Sequence, residues 1–223
     1  MKPDVHLEVP GGSTRVLLHC CCAPCSGAVV ECLVANGIRP TLFFSNANIV
    51  PREEYELRRS ELCRYASEFG LEVVDDDDDH AAWLAAVRGM EGEPERGARC
   101  LQCFRYRLLR AARYAAAHGY DVLTTTLASS RWKDLAQVDQ AGREACEAVS
   151  GVAGPASCDG VSGPETGALP DAAPGVSSPA APRVTWWGQN WRRGGLQPRR
   201  AEIIREQQFY NQTYCGCEFS HRD

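Results

Sequence analysis

Four cysteines fall within six residues in the stretch Leu17-Leu18-His19-Cys20-Cys21-Cys22-Ala23-Pro24-Cys25-Ser26. An apolar run ends just before them. A helix-like segment opens just after, with Pro24 suited to a first helical turn and Ser26 to a cap. A strand must therefore deliver the thiols to a turn that feeds a helix. Two further pairs, Cys100-Leu101-Gln102-Cys103 and Cys215-Gly216-Cys217, lie far downstream. A fold that uses these residues together has to bring distant parts of the chain to one place.

The rest of the pattern says how. Arg15 to His19, Thr41 to Phe44, Leu71 to Val74 and Asp121 to Thr126 read as short strands. Helices are expected from Pro24 to about Asn36, from Pro51 to Gly70, over His80 to Val87, from about Cys103 to His118, and from about Lys133 to Val149. Three of these helices stop at a glycine (Gly37, Gly70, Gly119), with a strand starting soon after. Repeated strand–helix alternation predicts an α/β domain, a mainly parallel sheet with helices on both faces. Ligands in such sheets sit beyond the carboxyl ends of the strands. The cysteine motif and the Thr124-Thr125-Thr126 run occupy two such ends.

Residues 150–182 break the pattern: Gly, Ala, Ser and Pro dominate and no hydrophobic period survives. This stretch, with Cys158 inside it, is expected to be a flexible insertion within one catalytic domain spanning 1–223. After it come a possible strand at Val184 to Trp187, a helix from about Pro198 to Gln208, and a cysteine-containing C-terminal extension.

No apolar stretch approaches the roughly 20 residues that cross a bilayer. Met1 to Ser13 is polar and acidic, without a signal-peptide core, so a cytoplasmic location and no membrane partner are expected. Twelve cysteines in a reducing compartment argue for metal or redox chemistry rather than a disulfide framework. The net charge is −5, yet Arg183 to Arg205 holds six arginines and one glutamate, a basic stretch suited to an RNA partner. Trp186, Trp187 and Trp191 beside Arg192 and Arg193 suit base stacking, or equally a hydrophobic core. The aspartate run Asp75 to Asp79 reads as a solvated loop rather than a chelating site. Tyr55 and Arg58, with Arg52 and Glu54, suit either a ligand-facing wall or a solvated helix face.

The thiols divide by context. Thiolates are soft ligands that suit zinc or iron–sulfur centres. Cys21 and Cys22, turning at a strand end, can offer two. Cys100 and Cys103 have the spacing that lets two sulfurs reach one centre, at a helix start whose dipole favours thiolate. Cys215 and Cys217 suit a redox pair, because a disulfide across one glycine closes a small, strained and labile ring. They are alternatively extra metal ligands. Cys25 can bind a second metal, assist catalysis or pack in the core. Cys32, Cys63 and Cys146, each alone on a helix, read as small buried hydrophobes. Cys20 reads as the end of the strand, and His19 as a hydrogen-bonded core residue.

These residues also carry a resemblance. The cysteine motif, Asn48-Ile49 with Pro51 and Glu54-Tyr55-x-x-Arg58, Arg99-Cys100-x-x-Cys103, Thr124 to Leu127, and Phe209-Tyr210-x-Gln212-x-Tyr214-Cys215-Gly216-Cys217-x-x-Ser220 together resemble the QueH family of epoxyqueuosine reductases. The resemblance runs along the chain except the insertion. It departs from the family pattern at Ser45 to Asn48 and at Arg131 to Asp134. It implies a HUP/Rossmann-like three-layer domain that reduces the epoxide of epoxyqueuosine at the tRNA wobble position, with an unidentified electron donor. It also implies a [4Fe-4S] cluster on Cys21, Cys22, Cys100 and Cys103, a redox-active Cys215–Cys217 pair, and one additional iron ion for which Cys25 is the candidate ligand. An ATP-using relative would need a Ser-Gly-Gly-type pyrophosphate loop after the first strand, where this chain has cysteines. A zinc-stabilised RNA-binding module without redox activity is the alternative, and it leaves the Cys-Gly-Cys pair idle.

Overall fold

The structure is a computed structural model that describes residues 5–76, 79–150 and 183–220. Five parallel strands form one sheet: β1 Val16–Cys20, β2 Thr41–Phe44, β3 Val73–Asp75, β4 Val122–Thr125 and β5 Thr185–Trp186. Their order is β3-β2-β1-β4-β5, every neighbouring pair parallel. The chain runs outward from β1 to β3, then returns to add β4 and β5 on the other side. That reversal creates a switch point between the ends of β1 and β4, the crevice where open sheets take their ligands.

Helices cover both faces. On one face α1 (Ala23–Ala35) packs against α2 (Arg52–Glu68) and α6 (Leu196–Glu206). On the other, α4 (Ala98–Ala117) packs against α3 (His80–Ala86) and α5 (Leu135–Val149). Buried on both sides, β1 is apolar or tightly bonded at all five positions, as a central parallel strand should be. In α4, Phe104, Leu108, Ala111, Ala112 and Ala115 make a buried stripe at helical spacing. Gly142 in α5 is required by a close approach: a Cβ there would lie 2.3 Å from the Trp186 ring.

Two element boundaries differ from the sequence reading in ways that matter. Helix α4 begins at Ala98, not near Cys103, because Glu93 reaches forward to accept the Ala98 amide at 3.1 Å and satisfies a donor at the helix start. Cys100 and Cys103 therefore lie inside the first two turns, three residues apart on one face. Helix α6 begins at Leu196, with Pro198 in its first turn.

The tryptophan stretch is core rather than an RNA platform. Trp187 and Trp191 are buried and pack edge to face, and the Trp191 indole donates to the Thr125 carbonyl at 3.0 Å. Two arginines of that stretch are occupied within the fold. Arg192 donates to the carbonyls of Ser130 and Lys133, and Arg199 pairs with Glu31, Glu202 and Glu206. Cys32 and Cys146 are buried and Cys63 is half-buried. Cys158 and the insertion, apart from Ser150, lie outside the described residues, as do Asp77 and Asp78. The described aspartates of that run act within the fold: Asp75 accepts from Tyr55 at 2.5 Å and pairs with Arg59, Asp76 pairs with Arg110, and Asp79 caps α3. Among the described residues, no helix is long and apolar enough to cross a membrane.

Candidate active site

Each cysteine group reaches the site by a different local device. Strand β1 ends at Cys20, which is wholly buried. The chain then turns, and Cys22 stands at the N-cap of α1 with an extended backbone. Cys25 is three residues on, one helical turn later, so the helix brings its sulfur back over Cys21 and Cys22. The three sulfurs lie within 4.8 Å of one another, all buried. Cys21 Sγ and Cys22 Sγ are 3.8 Å apart. A tetrahedral metal with thiolate bonds of about 2.3 Å sets its sulfurs roughly 3.8 Å apart, so this donor set fits a thiolate-bound metal. Thr126, in the 3-10 turn Thr126–Ser129 after β4, accepts the Cys21 amide at 3.4 Å. Ser129 Oγ donates to the Cys25 carbonyl at 2.8 Å.

His19 is built into the frame beneath. Its Nε2 faces the Ser45 carbonyl at 3.1 Å and its Nδ1 faces Thr125 Oγ1 at 2.8 Å. A carbonyl can only accept, so Nε2 carries the proton and Thr125 donates to Nδ1. Burial, aided by Arg107, lowers the imidazole pKa to about 3, and the ring is neutral. Arg107 donates to the Ser45 carbonyl and the Asn46 side chain, while Asn46 Nδ2 holds the Cys20 carbonyl at 3.0 Å.

The C-terminal extension folds back over this frame. Arg58, 2% exposed, pairs with Glu54 and donates to the carbonyls of Cys215 at 3.0 Å and Tyr214 at 3.3 Å. The Val50 amide donates to the Gly216 carbonyl at 2.9 Å, and Tyr214 Oη to the Val50 carbonyl at 2.7 Å. Gly216 has φ of +120°, and a Cβ there would meet Ile49 at 2.9 Å and Arg58 at 3.2 Å. Glycine is thus required on both counts. Cys217 joins a small second core with Trp83, Val87, Ala47 and Cys103.

The result is one cavity of about 620 Å³ with Cys21, Cys25, Cys100, Cys103, Cys215 and Cys217 in its walls. Its size falls within the range of small-molecule and cofactor sites. The thiols form two sets. Cys21, Cys22 and Cys25 make the compact trio, whereas Cys100 and Cys103 respond electrostatically to Cys215 and, for Cys100, to Cys217. Of the four expected cluster ligands, Cys21, Cys100 and Cys103 line the cavity, while Cys22 stands beside Cys21 and Cys25 in the trio.

The thiols differ in acidity. Burial pushes Cys100 and Cys103 up, and pushes Cys217 up to about 11, with Cys215 adding to the last. Within the trio, hydrogen bonds from Cys21 and Cys22 pull Cys25 well down, with help from Lys133 and Arg200, while burial drives Cys22 well up. Lys133 is opposed by burial, but the thiols of Cys215, Cys21 and Cys25 outweigh it and raise its pKa.

Seven basic side chains and two acidic ones, Glu95 and Asp134, line the cavity of a chain whose net charge is −5. One of the seven, Arg200, comes from the Arg183–Arg205 stretch. Residues that periodicity passed over stand at the cavity mouth. Trp132 is 59% exposed with the Arg131 guanidinium 4.9 Å above its ring, and Arg96 holds the Arg131 and Trp132 carbonyls. An exposed tryptophan between two basic residues, in a segment that departs from the family pattern, was the available signal.

The profile of the family described as "Epoxyqueuosine reductase QueH" matches residues 16–153 and 174–223, passing over 154–173. A protein of that name from Haemophilus influenzae is 40% identical over 217 residues, covering 97% of this chain and 76% of its own. One from Acinetobacter baylyi is 36% identical over 222 residues, covering 100% of this chain and 87% of its own. One from Thermotoga maritima is 27% identical over 208 residues, covering 92% and 89%.

Proposed function

The chain belongs to the QueH family of epoxyqueuosine reductases, which are oxidoreductases, and from that premise we propose that it reduces the epoxide of epoxyqueuosine at the tRNA wobble position to give queuosine. The observation that carries the reading is the convergence of three cysteine groups on one basic-lined cavity. A polyanionic substrate is favoured by that lining, and an anticodon loop offers its wobble base already unpaired. Trp132 stacks on a base at the mouth, with Arg131 and Arg96 beside the phosphates.

Turning an epoxide into an alkene takes up two electrons and two protons, and the oxygen leaves as water. Oxidising the Cys215/Cys217 dithiol to a disulfide releases two of each, so one dithiol balances one turnover. An external reductant then restores the pair. Lys133, charged amid the thiols, directs its Nζ–H toward the departing oxygen. Arg58 holds the Cys-Gly-Cys turn in place, and His19, fixed in its neutral form, keeps the strand end rigid beneath Cys21. An iron–sulfur centre of the [4Fe-4S] type on Cys21, Cys22, Cys100 and Cys103, with a further iron at Cys25, would supply single electrons and Lewis acidity.

The test is anaerobic incubation of iron-reconstituted protein with epoxyqueuosine-bearing tRNA and a chemical reductant, followed by nucleoside mass spectrometry. Conversion to queuosine that is lost in Cys217→Ser is expected. Unchanged substrate with wild-type protein containing iron and sulfide overturns the reading.

A further inference from the structure

Gln212 has two ends with different tasks. Its Nε2 donates to Cys22 Sγ at 2.7 Å. Its Oε1 is buried and has no hydrogen-bond partner among the described residues, and the side chain lines the cavity. A metal-bound thiolate has no proton to give, so with the proposed centre in place only the N–H end of the amide can face the sulfur. Asn48 stands on the same cavity, 1% exposed, with its Oδ1 also unpartnered. Buried polar atoms left without partners call for an explanation. Two amide oxygens on the wall of a binding cavity are explained by a ligand that brings N–H or O–H donors.

The chain just beyond Gln212 is anchored to α2 and its N-terminal approach. Arg58 grips the Tyr214 and Cys215 carbonyls, and Tyr214 Oη is bonded to Val50. The amide therefore spans a fixed gap between Cys22 and the cavity.

We infer that Gln212 couples occupation of the cavity to the electronic state of the thiolate site, its N–H holding Cys22 while its carbonyl oxygen accepts a hydrogen bond from the bound modified nucleoside. This rests on the substrate and the cofactor proposed above. An amide that accepts at oxygen becomes a stronger donor at nitrogen, because linked hydrogen bonds polarise one another. Hydrogen bonds to ligand sulfurs tune the potential of a metal centre, and a donor favours the more electron-rich, reduced state. Bound nucleoside thus raises the reduction potential, and the centre is most readily charged when there is substrate to reduce. Asn48 supplies a second acceptor for the same ligand and has no link to the sulfur.

The experiment uses full-length, iron-reconstituted protein and an anticodon stem-loop RNA carrying queuosine, which binds without turning over. Midpoint potentials are read by EPR-monitored titration with and without this RNA, for wild type, Gln212→Leu and Asn48→Leu. RNA binding is followed separately by fluorescence anisotropy. The expected result is an upward shift on RNA binding in wild type, a lower starting potential and no shift in Gln212→Leu, and a retained shift in Asn48→Leu at saturating RNA. Equal RNA-linked shifts in wild type and Gln212→Leu overturn the role of Gln212 and leave the reductase reading standing. Wild-type protein with neither an iron–sulfur signal nor RNA binding overturns both.

Discussion

The Arg58 guanidinium donates to the main-chain carbonyl of Cys215 at 3.0 Å, across 157 positions of sequence. The same side chain pairs with the largely buried Glu54 carboxylate, so one residue anchors the C-terminal thiols to α2. Arg58→Met removes the charge and the fork together and strands Glu54. Losing one partner of a buried pair costs about 3–5 kcal/mol. Denaturant unfolding should show a loss of that order, and turnover should fall at least tenfold. Arg58→Lys should recover part of the stability, since an ammonium cannot reach Glu54 and two carbonyls in the fork geometry.

Gly216 is held at a φ that side chains resist, with Ile49 and Arg58 where a Cβ would stand. Gly216→Ala should cost about 1–3 kcal/mol of backbone strain. Reductase activity should fall further than stability accounts for, because the strain is relieved by moving Cys215 and Cys217. Thermal unfolding and turnover measured on the same sample check this.

Metal content separates the trio from the core thiols. Iron and acid-labile sulfide, measured after anaerobic reconstitution, should both drop in Cys21→Ser, whereas Cys25→Ser should lose iron alone. They should stay at the wild-type level in Cys146→Ser, which sits on the buried face of α5 and does not line the cavity. Loss of iron without loss of sulfide in Cys25→Ser would identify the separate iron site.

Two tryptophans should respond in opposite ways. Trp132 is exposed at the mouth and Trp191 is buried. Trp132→Ala should weaken anticodon stem-loop binding by about 1–3 kcal/mol, the worth of one stacked base, and leave the melting temperature unchanged. Trp191→Ala should instead cost about 3–5 kcal/mol of stability. RNA anisotropy and calorimetry on the two variants distinguish the roles.

Cys146 predicts a signature at alkaline pH. Burial, with Glu147 adding to it, pushes its thiol up to about 12 from an ordinary 9.0. Between those values the unfolded chain has lost the proton and the folded chain keeps it. Stability is therefore fully present below pH 9 and falls as pH rises, by about 1.4 kcal/mol per unit. The difference in unfolding free energy between wild type and Cys146→Ala should shrink along that slope above pH 9. A flat difference would contradict the assignment.

Much of this molecule was legible in its sequence, for reasons that can be named. Strands β1, β2 and β4 are short apolar runs buried on both faces, and helix-stopping glycines punctuate them. The convergence of the cysteine groups followed from where parallel sheets put their strand ends. What was not legible depends on partners distant in sequence. Nothing local says that Arg199 is spent on Glu31, or that Arg192 is spent on the carbonyls of Ser130 and Lys133. The basic stretch therefore looked like an RNA surface. Trp187 and Trp191 looked like stacking groups until β4 and β5 closed over them. The start of α4 depended on Glu93, five residues upstream of the amide it caps, beyond the reach of ordinary capping patterns. The union of Cys25 with Cys21 and Cys22 needed only the knowledge that α1 starts at Ala23, one residue earlier than the proline suggested.

Helix α5 ends and β5 begins almost at the same point in space. Ser150 Oγ donates to the Val184 carbonyl at 3.5 Å, while the Thr185 and Trp187 amides bond to the carbonyls of Asp121 and Leu123. The two ends of the intervening chain are thus stitched to each other and to the sheet by residues outside it. Closing a loop between fixed ends costs only about 0.6 kcal/mol more for each doubling of its length. The seam at Ser150 and Val184 is accordingly a place where the protein tolerates editing. A short turn, a reporter or an affinity tag can be spliced in there while the cavity on the far side of β4 keeps its shape.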